Sequence, residues 1–196
     1  MVNNQKEFYQ LKQDVKSLLI SNGCILNQVD FNLSSGLKST FYFDCKRAML
    51  NGDFLDKVSD LFMSLITELP LKPSAIGGMT MGADFLTSAL ILKYSQLHLP
   101  CIRGSIVRKE PKKYGTGVFI ENELPVGTRI VIVDDVITTG KSILKVAEQF
   151  INAGYHIVGV LGLIDRELGG VESISEKLQC PVQCLFLKSD FLEIIT

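Results

Sequence analysis

The sequence predicts an α/β protein: a central parallel β-sheet flanked by helices, with a small hood built from its amino-terminal region. Three observations predict it. Segments of helical and strand-like apolar periodicity alternate along the chain, the order that builds a parallel sheet covered by helices. The strand-like stretch at 130–133 is apolar at every position, as strands buried on both faces are. Hydrophobic residues make up 46% of the 196, enough for one substantial core in a single domain spanning 1–196.

The elements follow in order. Phe8, Leu11, Val15, Leu18 and Leu19 mark one face of a first helix, which Asn22-Gly23 is placed to end with a left-handed residue. Residues 24–46 form the hood, whose centre at 31–44 mixes serine, glycine and aromatic residues without a period and reads as a lid above the sheet. A second helix carries Phe54, Val58, Leu61, Phe62, Leu65 and Ile66 and ends before Pro70. A short strand at 74–76, a glycine-rich turn, a helix through 86–94 and a strand at 101–107 come next. The strand at 130–133 leads into a helix with Ile143, Val146, Ala147, Phe150 and Ile151 on one side and Gly154 in the capping position. A buried strand at 157–164 follows at once, and the tail predicts a further strand and a surface helix. No internal repeat, low-complexity stretch or dividing linker interrupts the chain.

Bulk properties exclude several function classes. A net charge of −1 provides no global positive field to draw the protein onto nucleic acid or an anionic membrane. The opening residues lack the basic start and apolar centre of a secretory signal, and the run at 157–164 falls far short of the roughly 20 residues that span a bilayer. Five cysteines, an odd number scattered through a chain too large to need staples, fit a reducing cytoplasm. Cys180 and Cys184 have no second closely spaced pair, and His98 and His156 are the only histidines, so a zinc ligand set is not assembled in sequence.

The chemistry concentrates after the strand at 130–133, in Asp134-Asp135-Val136-Ile137-Thr138-Thr139-Gly140-Lys141-Ser142. Ligands of open α/β sheets bind at this end of the strands. Thr138, Thr139 and Ser142 offer hydroxyls, Gly140 permits a tight turn, and a helix start presents unpaired N–H groups to an anion. Asp134 and Asp135 would repel a polyphosphate lying over them but accept hydrogen bonds from sugar hydroxyls, so the implied ligand is a ribose 5-phosphate moiety. Asp, Ser and Thr also serve as ordinary capping residues in such turns, which is the alternative reading. A nucleotide-binding Walker loop would need glycine at Asp135, and no G-x-G-x-x-G fingerprint is present.

Residues 131–142 resemble the ribose-diphosphate signature of the type I phosphoribosyltransferases. Further segments resemble the orotate phosphoribosyltransferases within that family. Phe31-Asn32-Leu33-Ser34-Ser35-Gly36-Leu37-Lys38-Ser39 with Phe41-Tyr42-Phe43-Asp44 is similar to their hood segment, and Arg108-Lys109-Glu110-Pro111-Lys112-Lys113-Tyr114-Gly115 to their mobile catalytic loop. Asp165-Arg166-Glu167 with Gly169-Gly170 is similar to the segment that reads the orotate ring, and Gly77-Gly78-Met79-Thr80-Met81-Gly82-Ala83-Asp84 to a second anion loop near the diphosphate.

The resemblance implies transfer of a phosphoribosyl group from 5-phosphoribosyl 1-diphosphate (PRPP) to orotate, with no nucleic-acid or membrane partner. It implies that Lys109 and Asp135 act in catalysis, and that PRPP meets Arg108, Lys109, Lys112 and Tyr114 on the loop and residues 134–142 on the sheet. Thr138, Arg166, Tyr42 and Phe43 would contact orotate. Magnesium would arrive on the sugar diphosphate without a dedicated protein cage, and a homodimer would share the loop between subunits through Lys109. Many members carry histidine at the Tyr114 position, and some carry lysine where Ser34 and Met81 stand, so the loop and magnesium must carry more of the charge here. A non-catalytic PRPP-binding regulator and a transferase for another base are the alternatives.

Overall fold

The computed structural model describes residues 4–32, 38–110 and 119–195. Helix α1 (Gln5–Ser21) starts on Asn4, whose side chain accepts a hydrogen bond from the Glu7 N–H at 2.9 Å. It ends as expected, with Gly23 left-handed at φ 65°. The hood is a hairpin: β1 (Ile25–Asn32) and β2 (Lys38–Phe43) pair antiparallel in a sheet of their own. Short α2 (Lys46–Met49) leads to α3 (Gly52–Glu68), which the Asn51 side chain caps by accepting from the N–H groups of Asp53 and Phe54.

The main sheet contains β3 (Ala75–Met79), β4 (Arg103–Val107), β5 (Ile120–Glu121), β6 (Arg129–Ile137), β7 (His156–Asp165) and β8 (Val182–Leu187), in the order β5-β4-β3-β6-β7-β8. All neighbours pair in parallel except the short edge strand β5, which runs antiparallel to β4. Helices α4 (Gly82–Gln96), α5 (Lys141–Asn152) and α6 (Gly170–Leu178) connect the strands, and a 3-10 turn (Lys188–Phe191) and α7 (Leu192–Ile195) end the described chain.

Strand β6 explains its own sequence. Val131 and Val133 join the core formed with α1, α3 and α4, whereas Ile130 and Ile132 join the core formed with α5 and α6. Both faces are buried, so every position is apolar. Phe54 and Phe62 on one side and Phe150 on the other are fully buried. Truncating any of them to alanine would cost about 3–5 kcal/mol.

Two boundaries differ from expectation, for steric reasons. The predicted turn at 77–79 belongs to β3: a Cβ on Gly77 would lie 1.9 Å from the Ser105 carbonyl oxygen, and one on Gly78 2.3 Å from that of Val133. These glycines permit close approach of neighbouring strands. Strand β6 likewise continues to Ile137, so Asp134 and Asp135 project from a strand end and the turn proper begins at Thr138. Helix α6 was not among the predicted elements. From β3 the sheet grows outward through β4, and from β6 through β7 and β8, so a crevice opens at the carboxyl ends of β3 and β6. No helix among the described residues is long and apolar enough to cross a membrane.

Candidate active site

At that crevice two cavities adjoin. A recess of about 50 Å³ follows residues 134 and 136–143 along the turn between β6 and α5. A larger cavity of about 240 Å³ is bordered by Tyr42, Phe43 and Lys46 from the hood side, Met79 to Gly82 from the β3–α4 turn, Lys109, and Asp134, Asp135, Val136, Thr138, Ser142 and Arg166. Asp134, Val136, Thr138 and Ser142 line both, so one ligand can occupy the two together.

The recess lies at an uncapped helix start. Gly140, left-handed at φ 77°, is the N-cap of α5, and no side chain caps that helix. The first-turn N–H groups therefore remain open to a ligand, in contrast to α1 and α3, where asparagines occupy them. Gly170 at the start of α6 braces the loop: a Cβ there would lie 2.5 Å from the Thr138 carbonyl oxygen and 3.0 Å from the Gly140 nitrogen. Lys141 and Ser142 stand exposed at the rim.

Asp134 lies between recess and cavity, and Asp135 borders the cavity. The Asp134 Oδ1 accepts from the Asp135 N–H at 3.0 Å, and the Asp135 Oδ1 from the Val136 N–H at 2.9 Å. Burial, then the neighbouring Asp135 charge, pushes the Asp134 carboxyl well above the usual range. Burial also raises Asp135, against the opposing charge of Lys46. Hydroxyl donors or positive charge brought by a ligand would stabilise the ionised pair. Helix α4 also begins without a side-chain cap, and Gly82 brings its backbone directly over both carboxylates: a Cβ would lie 2.5 Å from the Asp134 Oδ1 and 2.7 Å from the Asp135 Oδ1.

Arg166 is 4% exposed, with its guanidinium 4.6 Å from the Phe41 ring centroid and its Nη2 donating to the Phe41 carbonyl at 3.4 Å. Its own N–H donates to the Ile137 carbonyl at 2.9 Å, tying this segment to the end of β6. Glu167 accepts from the Ser189 N–H at 2.7 Å and hydroxyl at 3.2 Å, which fixes the following residue. Tyr42 is half-buried at the cavity, whereas Phe43, 3% exposed, borders it with a ring packed edge-on against Phe41 and Phe191.

Of the loop residues, Lys109 borders this cavity. Arg108 does not; it pairs with Glu121 of β5 at 2.8 Å, closing the base of the loop. Lys112 and Tyr114 lie outside the described residues. Lys46 was missed by sequence reasoning. Its only signal was a basic residue two positions after Asp44, at the end of the hood.

The sequence matches the phosphoribosyl transferase domain family over residues 50–184. The chain belongs to the phosphoribosyltransferases. It is 36% identical over 186 residues to the orotate phosphoribosyltransferase of Synechocystis sp., covering 94% of this chain and 90% of the relative. Too few residues remain uncovered to leave out the hood of this phosphoribosyltransferase, which precedes the family match. Among solved structures it resembles the orotate phosphoribosyltransferase of Aeropyrum pernix, with a TM-score of 0.70 and 31% identity over 91% of this chain and 96% of that one. The Mycobacterium tuberculosis orotate phosphoribosyltransferase in complex with Fe(III) dicitrate gives a TM-score of 0.74 and 27% identity over 93% of this phosphoribosyltransferase and 99% of that chain.

Proposed function

We infer that this phosphoribosyltransferase transfers the 5-phosphoribosyl group of PRPP to orotate, giving orotidine 5′-phosphate and diphosphate in pyrimidine nucleotide synthesis. The observation that carries this reading is the meeting of an open helix terminus, the carboxylates of buried Asp134 and half-buried Asp135, and Arg166 around one crevice, in a chain 36% identical to an orotate phosphoribosyltransferase.

In this reading the 5′-phosphate sits in the recess, held by the backbone from Val136 to Gly140, the hydroxyls of Thr138, Thr139 and Ser142, and Lys141 at the rim. Asp134 and Asp135 accept hydrogen bonds from the ribose hydroxyls. A ring nitrogen of orotate bonds to ribose C1 as diphosphate departs with the electron pair of the broken C–O bond, and the nitrogen's proton is released to the medium. Positive charge grows on the sugar as negative charge grows on the leaving oxygens, and preorganised cations stabilise the latter most where water is excluded. Lys109 is the cation placed for this, with Arg108, Lys112 and Tyr114 completing the loop's contribution. Arg166 meets the orotate carboxylate with paired hydrogen bonds, while Tyr42, Phe43 and Thr138 bound the base. Binding an anion there offsets the cost of burying the guanidinium, whose pKa burial lowers.

Magnesium, carried on PRPP, would neutralise diphosphate charge, and the oxygen donors of Asp134 and Asp135 suit its ligand preference without a protein cage. A homodimer sharing the loop, and a cytoplasmic location supported by five free cysteines, complete the reading. The test is an acceptor panel: purified protein with magnesium and PRPP should consume orotate, followed by its absorbance. Consumption of uracil, hypoxanthine or adenine in its place would reassign the acceptor. Binding of PRPP without turnover of any base would make the chain a regulator.

A further inference from the structure

We propose that Lys46 is a further cation of the ligand cavity, engaging the diphosphate group of the sugar substrate; the assignment rests on the phosphoribosyl-transfer reading above. Lys46 borders the larger cavity and is absent from the recess that takes the 5′-phosphate. It stands on α2, whose Cys45, Ala48 and Met49 neighbours are buried in the core, so its backbone is fixed, unlike a cation on a loop. Helix α2 packs against α4, whose uncapped start at Met81 and Gly82 borders the same cavity. An ammonium on a fixed backbone and an open helix terminus then face one space, the pairing that suits a polyanion.

The near neighbours of Lys46 leave it able to turn to a ligand. Its Nζ lies 2.9 Å from the Asp44 carboxylate and 5.9 Å from the Tyr42 ring centroid. Asp44 also pairs with the Arg47 Nε at 3.3 Å, so releasing Lys46 leaves that carboxylate with a cation. The charge of Lys46 already reaches Asp135, where it is the leading influence opposing burial. The orotate carboxylate has Arg166, whereas the diphosphate carries more charge and, on the sheet side, meets only backbone at Met81 and Gly82, with Lys109 as the loop cation on the same cavity. Diphosphate is therefore the group that gains most from a further cation.

Titration calorimetry in magnesium buffer with three probes tests this: inorganic diphosphate, ribose 5-phosphate and orotate. Loss of a charge-assisted contact in Lys46→Ala should weaken diphosphate binding roughly tenfold or more, with ribose 5-phosphate changed no more than about twofold. The KM for PRPP should rise while Lys46→Arg restores most of the affinity, and Asp44→Asn, which breaks the ion pair but keeps the cation, should retain diphosphate binding. Lys46→Gln, of similar length without charge, repeats the measurement should the alanine variant fail to fold. Unchanged diphosphate binding overturns the proposal. So does an equal loss for ribose 5-phosphate, which marks a structural role, or a loss confined to orotate, which places Lys46 at the base. If the wild-type protein binds neither diphosphate nor ribose 5-phosphate, the phosphoribosyl-transfer reading itself falls, a result distinct from all of these.

Discussion

Asp134 sits in a position that disfavours its charge. Because its folded-state pKa is raised, the stability linked to it is fully present below the ordinary carboxylate pKa and is lost as pH rises through the folded value. Asp134→Asn should therefore stabilise the ligand-free protein at neutral pH by about 1 kcal/mol or more, or roughly 2–4 °C in Tm per kcal/mol. The advantage should shrink on acidification and vanish below about pH 3, where the wild-type carboxyl is neutral in both states. The same variant should lose PRPP binding, since an amide is a weaker acceptor for sugar hydroxyls. A Tm series against pH checks the first half, and a variant less stable than wild type at pH 7 would contradict it. The two acids were legible in sequence because they follow an apolar strand directly. Their burial was not, since it depends on Gly82 arriving from another element, and Lys46 was not legible for the same reason.

Four helices divide by how they begin. Asparagine side chains close the starts of α1 and α3, which do structural work, while α4 and α5 begin uncapped at the crevice. Sequence reading found α5 and its loop because Gly140 and the flanking hydroxyls form a local pattern. It ended β3 too early and read Gly77 and Gly78 as a turn, because a glycine that admits a neighbouring strand looks the same in sequence as one that bends the chain. The Gly82 contact yields a prediction for this element. Gly82→Ala should push α4 off the two carboxylates, lowering kcat/KM for PRPP roughly tenfold to a hundredfold while far-UV circular dichroism stays native. Unchanged kinetics would mean that the site tolerates this displacement. Helix α6 escaped prediction although Val171, Ile174 and Leu178 carry a helical spacing, and its Gly170 proves to be the brace of the loop at 138–140.

The whole molecule sets two cores on opposite faces of one sheet and leaves its binding crevice where the sheet grows outward in both directions. Lys109 borders the crevice of its own chain, whereas the proposed dimer has it serve a neighbour. Mixing Lys109→Ala with Asp135→Asn chains separates these arrangements. Each variant alone should be depressed in turnover by a hundredfold or more, in the range that leaving-group stabilisation typically supplies, about 10²–10³. With sites shared across a two-fold dimer, random re-association of equal amounts restores about one quarter of wild-type activity, because half the dimers then hold one intact site of two. No recovery would assign the loop to its own chain.

By itself the sequence determined what is local: the alternation of helices and strands, the doubly buried strand β6, the glycine-bearing turn into a helix after it, and the absence of any long apolar span. These follow from periodicity and turn chemistry, which neighbours along the chain decide. Only the tertiary structure decided which distant groups share the crevice. Residues 42, 43, 46, 79–82, 109, 134–142 and 166 converge because strand order and helix packing bring them together. Burial, charge coupling and close backbone contact arise from that convergence, and no stretch of the chain encodes them alone.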